Sequence, residues 1–351
     1  MPKNRSLSPI WLLLLLFLAL PNLAQDDDQS NWTTTIVDGS GLVGQHTSLA
    51  EIDGQPAISY YHPGSANLKY ARFNGEIWVD ETVDSEGDVG EYTSLAVVDG
   101  QPAISYYDET QNDLKYARFN GETWDIEIIE RDGDTGFFTS LALIDGQPAI
   151  AYFDRDQDNL KYARYNGETW DIEFVDGDES VGQHTSLAEV DGQPAISYYD
   201  SSLESLKYAR FNGEIWRIET VDADEGVGWY SSLSVVDGQP AIAYYDFIDR
   251  DLKYARFDGT RWLIELVDAE GNVGSHLSMT LIDGQPAISY YDSRNELLKY
   301  AHFDGETWQI EIVDMDGDVG HFSSLAVVDG QPAISYYDFT NGDLKYASAN
   351  P

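Results

Sequence analysis

Short runs of apolar residues recur along this chain, separated by turn residues, and beyond the N-terminal segment none keeps a helical period for ten residues or more. One stretch carries the whole pattern. Thr93-Ser-Leu-Ala-Val-Val98 ends in Asp99-Gly100, and Ala103-Ile-Ser-Tyr-Tyr107 follows. Leu114-Lys-Tyr-Ala-Arg-Phe119 ends in Asn120-Gly121, and Trp124-Asp-Ile-Glu-Ile-Ile129 completes the unit. Loose alternation with enrichment in valine, isoleucine and aromatics predicts four strands. Asp-Gly and Asn-Gly tolerate the positive φ of type I′ turns, so two of the connections read as tight hairpins. Asp258-Gly259 and Asp304-Gly305 keep that turn chemistry. A proline, such as Pro102, opens the second strand, where a missing N–H costs least.

The unit repeats without insertion or deletion. Trp32, Trp78, Trp124, Trp170, Trp216, Trp262 and Trp308 stand 46 residues apart. Seven copies of four antiparallel strands predict an all-β fold, a seven-bladed β-propeller. An open array of the same units is the competing arrangement. The chain ends argue for closure. The first copy starts with a fourth strand at Trp32, and the last stops after a third strand at Ala347. The N-terminal strand therefore completes the last blade and removes a free edge.

Charge narrows the function. The 351 residues include 62 Asp and Glu against 20 Lys and Arg, a formal net charge of −42. Such a surface repels phosphate backbones and excludes a nucleic-acid partner. A hydrophobic fraction of 42% with 13% aromatics marks a folded chain rather than an acidic disordered one. Cysteine is absent, which rules out disulfides and thiolate chemistry.

Lys3 and Arg5 precede the apolar run Ile10 to Leu20, and small and polar residues follow. This reads as a signal peptide over residues 1–24, then a short acidic linker over 25–31 and the propeller over 32–351. The run falls short of the roughly 20 residues that span a bilayer. The expectation is a secreted chain, extracellular or periplasmic, monomeric and without stable membrane insertion once the signal is cleaved.

Features repeated in every blade read first as packing. These are the tyrosine pairs, the seven tryptophans, and the lysines and arginines (Lys115, Arg118 and their equivalents), which are expected to neutralise blade carboxylates. The tight turns share one end of each blade. The variable loops, such as His62 to Asn67 and Asp246 to Asp251, share the other, where binding is expected. The blade-to-blade connectors there are acidic. Asp314, Asp316 and Asp318, and likewise Glu130, Asp132 and Asp134, present alternate oxygen ligands of the kind calcium takes. An EF-hand would need a glutamate where Leu325 stands. Calcium is the one candidate cofactor, and a solvated acidic turn is the other reading. Next come His46, Tyr92, Phe138, His184, Tyr230, His276 and Phe322. Each is expected to begin an innermost strand, so together they should ring the channel mouth. There they either bind a ligand, by stacking on a sugar or gripping a peptide, or plug the channel.

The run TSLAVVDGQPAISYYDETQNDLKYARFNGETWDIE resembles the sialidase-like (BNR-like) propeller repeats of secreted bacterial and archaeal proteins, over residues 32 to 348. Asn120-Gly-Glu-Thr-Trp124 is similar to the end of the sialidase Asp box, with Phe119 in the Asp place. The resemblance implies the architecture and carries no activity with it. A sialidase would also need an arginine cluster, a Tyr–Glu pair and a separate acid. The irregular arginines, Arg131, Arg155, Arg217, Arg250, Arg261 and Arg294, are scattered. Two functions remain. One is a secreted, non-enzymatic binding or scaffold module for extracellular glycan or protein. The other is a glycoside hydrolase or lyase acting on extracellular polysaccharide, which needs two carboxylates at a defined separation.

Overall fold

Asp99 and Gly100 both adopt positive φ, 49° and 76°, and fold the first two strands of their unit back on each other as a type I′ hairpin. The computed structural model describes residues 31–178 and 180–350 and builds from such hairpins seven four-stranded antiparallel sheets. The second turn works differently from expectation. Only Gly121 has positive φ there, and the Asn120 side chain accepts hydrogen bonds from the N–H groups of Glu122 and Thr123. The asparagine acts through its carbonyl oxygen rather than its backbone freedom. Asp258 and Asp304 do the same with a carboxylate oxygen.

Blades 1 to 6 occupy residues 45–84, 89–130, 135–176, 181–222, 227–268 and 273–314. Blade 7 takes its first three strands from residues 319–349 and its outer strand from Trp32–Asp38. Trp32 lies opposite Ala349 and Ile36 opposite Lys345 in that pairing. The all-β propeller and its closure by the N-terminal strand are thus both present. Residues 1–30, which hold the expected signal peptide and nearly all of the linker, lie outside the described residues. Among the described residues no helix is long and apolar enough to cross a membrane.

The core lies between blades. Ile52, Leu68 and Tyr70 of blade 1 pack with Leu95, Ile104 and Tyr106 of blade 2, and each junction repeats the arrangement. The second and third strands thereby bury side chains on both faces, which is why their hydrophobic alternation is loose, while the outer strands stay mostly exposed.

Polar clamps pin the same junctions. Asp84 ends the outer strand of blade 1. Its Oδ2 accepts from Tyr106 Oη at 2.8 Å and from Lys115 Nζ at 2.7 Å, both from blade 2. Asp38 takes Tyr60 and Lys69 likewise across the chain ends, and Glu130 takes Tyr152 and Lys161. Lys115 also meets Asp108 of its own blade at 3.1 Å. The lysines are therefore charge-balancing elements of the lattice. The arginines pair nearer the surface, Arg118 with Asp99 of the first turn at 2.6 Å.

Candidate functional site

The innermost strands begin earlier than the sequence pattern indicates. In blade 2 this strand runs Val89–Val98, and its register with the next strand slips between Glu91 and Ser94. Tyr92 sits inside that β-bulge instead of opening the strand. Bulges re-aim a side chain. The backbone at all seven equivalent positions is left-handed, with φ of 54° at His46, 53° at Phe138 and 52° at His276. Bulky residues adopt this region at a cost of order 1–3 kcal/mol each. The re-aimed rings meet. Successive centroids from His46 round to Phe322 lie 4.5 to 4.8 Å apart, and Phe322 to His46 closes the circle at 4.5 Å.

The structure thus brings all seven candidates together, around a cavity of about 370 Å³. Burial pushes the imidazoles down, His46 to about 4 and His184 and His276 to about 3, so they are neutral at neutral pH. Hydroxyls beneath them lock the collar. Thr139 donates to the Tyr92 carbonyl at 2.9 Å and Ser323 to that of His276 at 2.7 Å. The collar is an uncharged ring of planar groups, each tilted by 42° to 60° against the next.

The acidic connectors do not converge. Among the described residues no group of three or more His, Asp or Glu side chains is placed to hold a metal. Asp314 is buried under Tyr336 and Lys345. Asp318 accepts from Tyr291 at 2.6 Å and meets His321 at 2.9 Å, while Asp316 is exposed. Glu130 serves Tyr152 and Lys161, Asp134 serves Tyr107, and Asp132 is exposed. Alternation in sequence read as a ligand set, but a carboxylate already held by a buried lysine and a phenol has little left to offer a cation.

A second kind of site lies between blades, toward the tight-turn end. On the third strand of blade 1, Tyr70 and Arg72 share a face. Glu81 lies directly across from Tyr70 on the outer strand. The next blade contributes Trp124, whose Nε1 donates to Glu81 at 2.9 Å and whose ring meets Tyr70 edge-on at 5.2 Å. These groups, with Phe119 and Pro102, line a cavity of about 480 Å³. Equivalent residues line cavities of about 330 Å³ beside Tyr162 and about 230 Å³ beside Tyr208.

Arg72 is tied through Nη2 to the Ile52 carbonyl and to Asp53, so its planar head is held in place. The phenol oxygens of Tyr70, Tyr116, Tyr162, Tyr208 and Tyr254 are buried and have no hydrogen-bond partner among the described residues. These five are the junctions that carry arginine, glutamate and tryptophan together. At the other two, His302 replaces the arginine, or Ser348 and Thr35 replace arginine and glutamate. Repetition made these residues look like packing alone. The signal available in the sequence was this joint loss of arginine and glutamate at one junction.

No protein-family model and no curated protein sequence matches the chain. Solved structures do. The SapL1 lectin, solved with alpha methyl fucoside, is 10% identical over 79% of this chain and 98% of that one, with a TM-score of 0.57. The fucose-specific lectin from Aleuria aurantia is 13% identical over 77% of this chain and 96% of that one, TM-score 0.50. A Hadza microbial sialidase is 13% identical over 91% of this chain and 68% of that one, TM-score 0.55. At such identities the likeness establishes the propeller fold alone.

Proposed function

We propose that this protein is a secreted carbohydrate-binding propeller that holds neutral sugars in the grooves between its blades. One observation carries the reading. Five buried tyrosine hydroxyls lack a partner, each beside an arginine, a glutamate and an indole. A buried unpaired hydroxyl costs stability, and its recurrence at the same grooves is explained if the groove side chains part to let a ligand hydroxyl reach and complete it. The indole and phenyl groups offer an apolar wall for the C–H face of a sugar ring, and arginine, glutamate and phenol meet its hydroxyls. Near each arginine stand two carboxylates, Glu81 and Asp53 in the first groove, so a sugar acid is disfavoured. The fucose-binding lectins among the structural neighbours agree with a neutral ligand. The collar is assigned a sealing part.

A glycan array, followed by calorimetry with methyl α-fucoside and the best neutral glycosides, tests this. Binding to neutral glycans, kept in a Tyr230→Ala collar variant and lost stepwise as groove arginines are replaced, is expected. Binding confined to sialylated or uronic-acid glycans would overturn it.

A hydrolase is the second reading, and one observation favours it. At the loop end, burial together with Glu109 and Asp88 pushes the Glu91 carboxyl up to about 7, in the range of a general acid. Turnover of aryl glycosides that is lost in Glu91→Gln would establish it.

A further inference from the structure

Between blades 6 and 7, three of the four groove groups are in place. Glu311 lies across from Tyr300. Its Oε2 accepts from Trp32 Nε1 at 3.1 Å, and the Trp32 ring meets Tyr300 at 5.0 Å. The arginine position holds His302. Its ring stacks on Tyr300 with centroids 5.6 Å apart and planes at 27°. Its Nδ1 is buried without a hydrogen-bond partner among the described residues, 3.8 Å from Glu311 Oε1. The seventh junction provides the contrast. Trp78 still meets Tyr346 at 5.2 Å, but Thr35 and Ser348 stand where the other grooves have glutamate and arginine.

We propose that the groove between blades 6 and 7 is a sixth sugar site, switched on when His302 takes up a proton; this rests on the groove reading above. A neutral imidazole has one donor and one acceptor, whereas an imidazolium has two donors, as the guanidinium fork does at the other grooves. Protonated, Nδ1–H turns to Glu311 and Nε2–H becomes the donor that a sugar oxygen needs. Asp283, in the turn after the innermost strand, holds the place of the carboxylate that pairs with the arginine in the other five blades. Glu311 and Gln309 lie on the outer strand, with Gln309 directly opposite. Asp304 acts on it from the adjoining turn. Ala287 lies opposite on the second strand, and Tyr300 is on its own strand. Trp32 comes from blade 7. None of these groups is a lysine or arginine, so a proton on His302 supplies this groove with the positive charge that arginine gives the others. The groove also spans the ring closure, because Trp32 belongs to the N-terminal strand.

Calorimetric stoichiometry tests the switch, with methyl α-fucoside as probe, or the neutral glycoside that the array selects in its place. Wild type should take up five equivalents at about pH 8 and six at about pH 5.5. His302→Arg, which installs the residue the other grooves already accommodate, should take up six at both. His302→Ala should take up no sixth equivalent at either pH. Five equivalents in the wild type at both values, with six in His302→Arg, would overturn the switch and leave the groove reading intact. No uptake at either pH by any of the three proteins would overturn the groove reading and the switch with it.

Discussion

The backbone N–H of Leu49 donates to Oγ of Ser324 at 3.0 Å, joining the innermost strand of the first blade to that of the last. The same bond recurs at every junction, for instance from Leu95 to Ser48 and from Leu187 to Ser140. The ring is therefore closed at its centre by serine as well as at its rim by the N-terminal strand. Ser324→Ala should cost about 1–3 kcal/mol, because it leaves a partly buried N–H unpaired. Deleting residues 32–37 should cost more and promote aggregation, since it bares the edge of blade 7. Thermal melts with light scattering check both, and an unchanged, monodisperse deletion variant would refute closure by that strand.

The clamps set an acid limit. Burial pushes the Asp38 carboxyl up, but hydrogen bonds from Ser40, Tyr60 and Lys69 outweigh it and hold the group down at about 2. Asp84 is lowered in the same way by Lys115, the Glu86 N–H and Tyr106, against its burial. A carboxyl lowered by folding stabilises the fold above its unfolded value and loses that contribution as pH falls through the folded one. Stability should therefore hold down to about pH 4 and fall away toward about pH 2. Asp84→Asn should cost about 3 kcal/mol, the low end for a broken buried pair, because Lys115 keeps Asp108. It should also flatten the acid limb of the stability curve. Denaturant melts across pH measure both effects.

Salt and calcium should behave differently. With a net charge of −42, screening by sodium chloride should raise the melting temperature. At matched ionic strength calcium should add little, because the connector carboxylates are divided among separate partners. Replacing the exposed Asp132 and Asp316 by Asn should leave the calcium response unchanged. Saturable calcium heat that disappears in this double variant would reinstate the connectors as a metal site.

The architecture was legible because the pattern is repeated. Strand alternation, the Asp99-Gly100 turn and the phase of the chain ends each point to the closed ring. The bulge at Tyr92 was not legible, because a left-handed backbone runs against the preference of a tyrosine. Only the packing of seven rings against one another makes that conformation worthwhile. The collar was still placed at the channel, since its position near the strand start survives the error in register. The grooves were hidden for another reason. Arg72 and Glu81 lie on neighbouring strands of one blade and Trp124 comes from the next, and only their juxtaposition reveals the unpaired Tyr70 hydroxyl.

That hydroxyl separates a binding groove from a packing defect. Tyr116 is 4% exposed, and its oxygen has no partner. Burial raises its pKa, so the phenol stays protonated at neutral pH and can donate as well as accept. Replacing it by phenylalanine removes an unsatisfied polar atom and leaves the ring that packs on Trp170. The free protein should become more stable, by about 1 kcal/mol at the low end of the cost of an unpaired buried hydroxyl. Sugar affinity at that groove should fall, because the ligand loses a buried hydrogen-bond partner. The two effects have opposite signs, which a purely structural tyrosine would not produce. Tyr106→Phe is the control. Its hydroxyl donates to Asp84 at 2.8 Å, so its loss should destabilise the fold and leave sugar binding alone. Melting curves and calorimetric titration of the two variants side by side decide the matter. A Tyr116→Phe protein that is less stable than the wild type, or that binds sugar with unchanged affinity and stoichiometry, would remove the groove hydroxyls from the binding site.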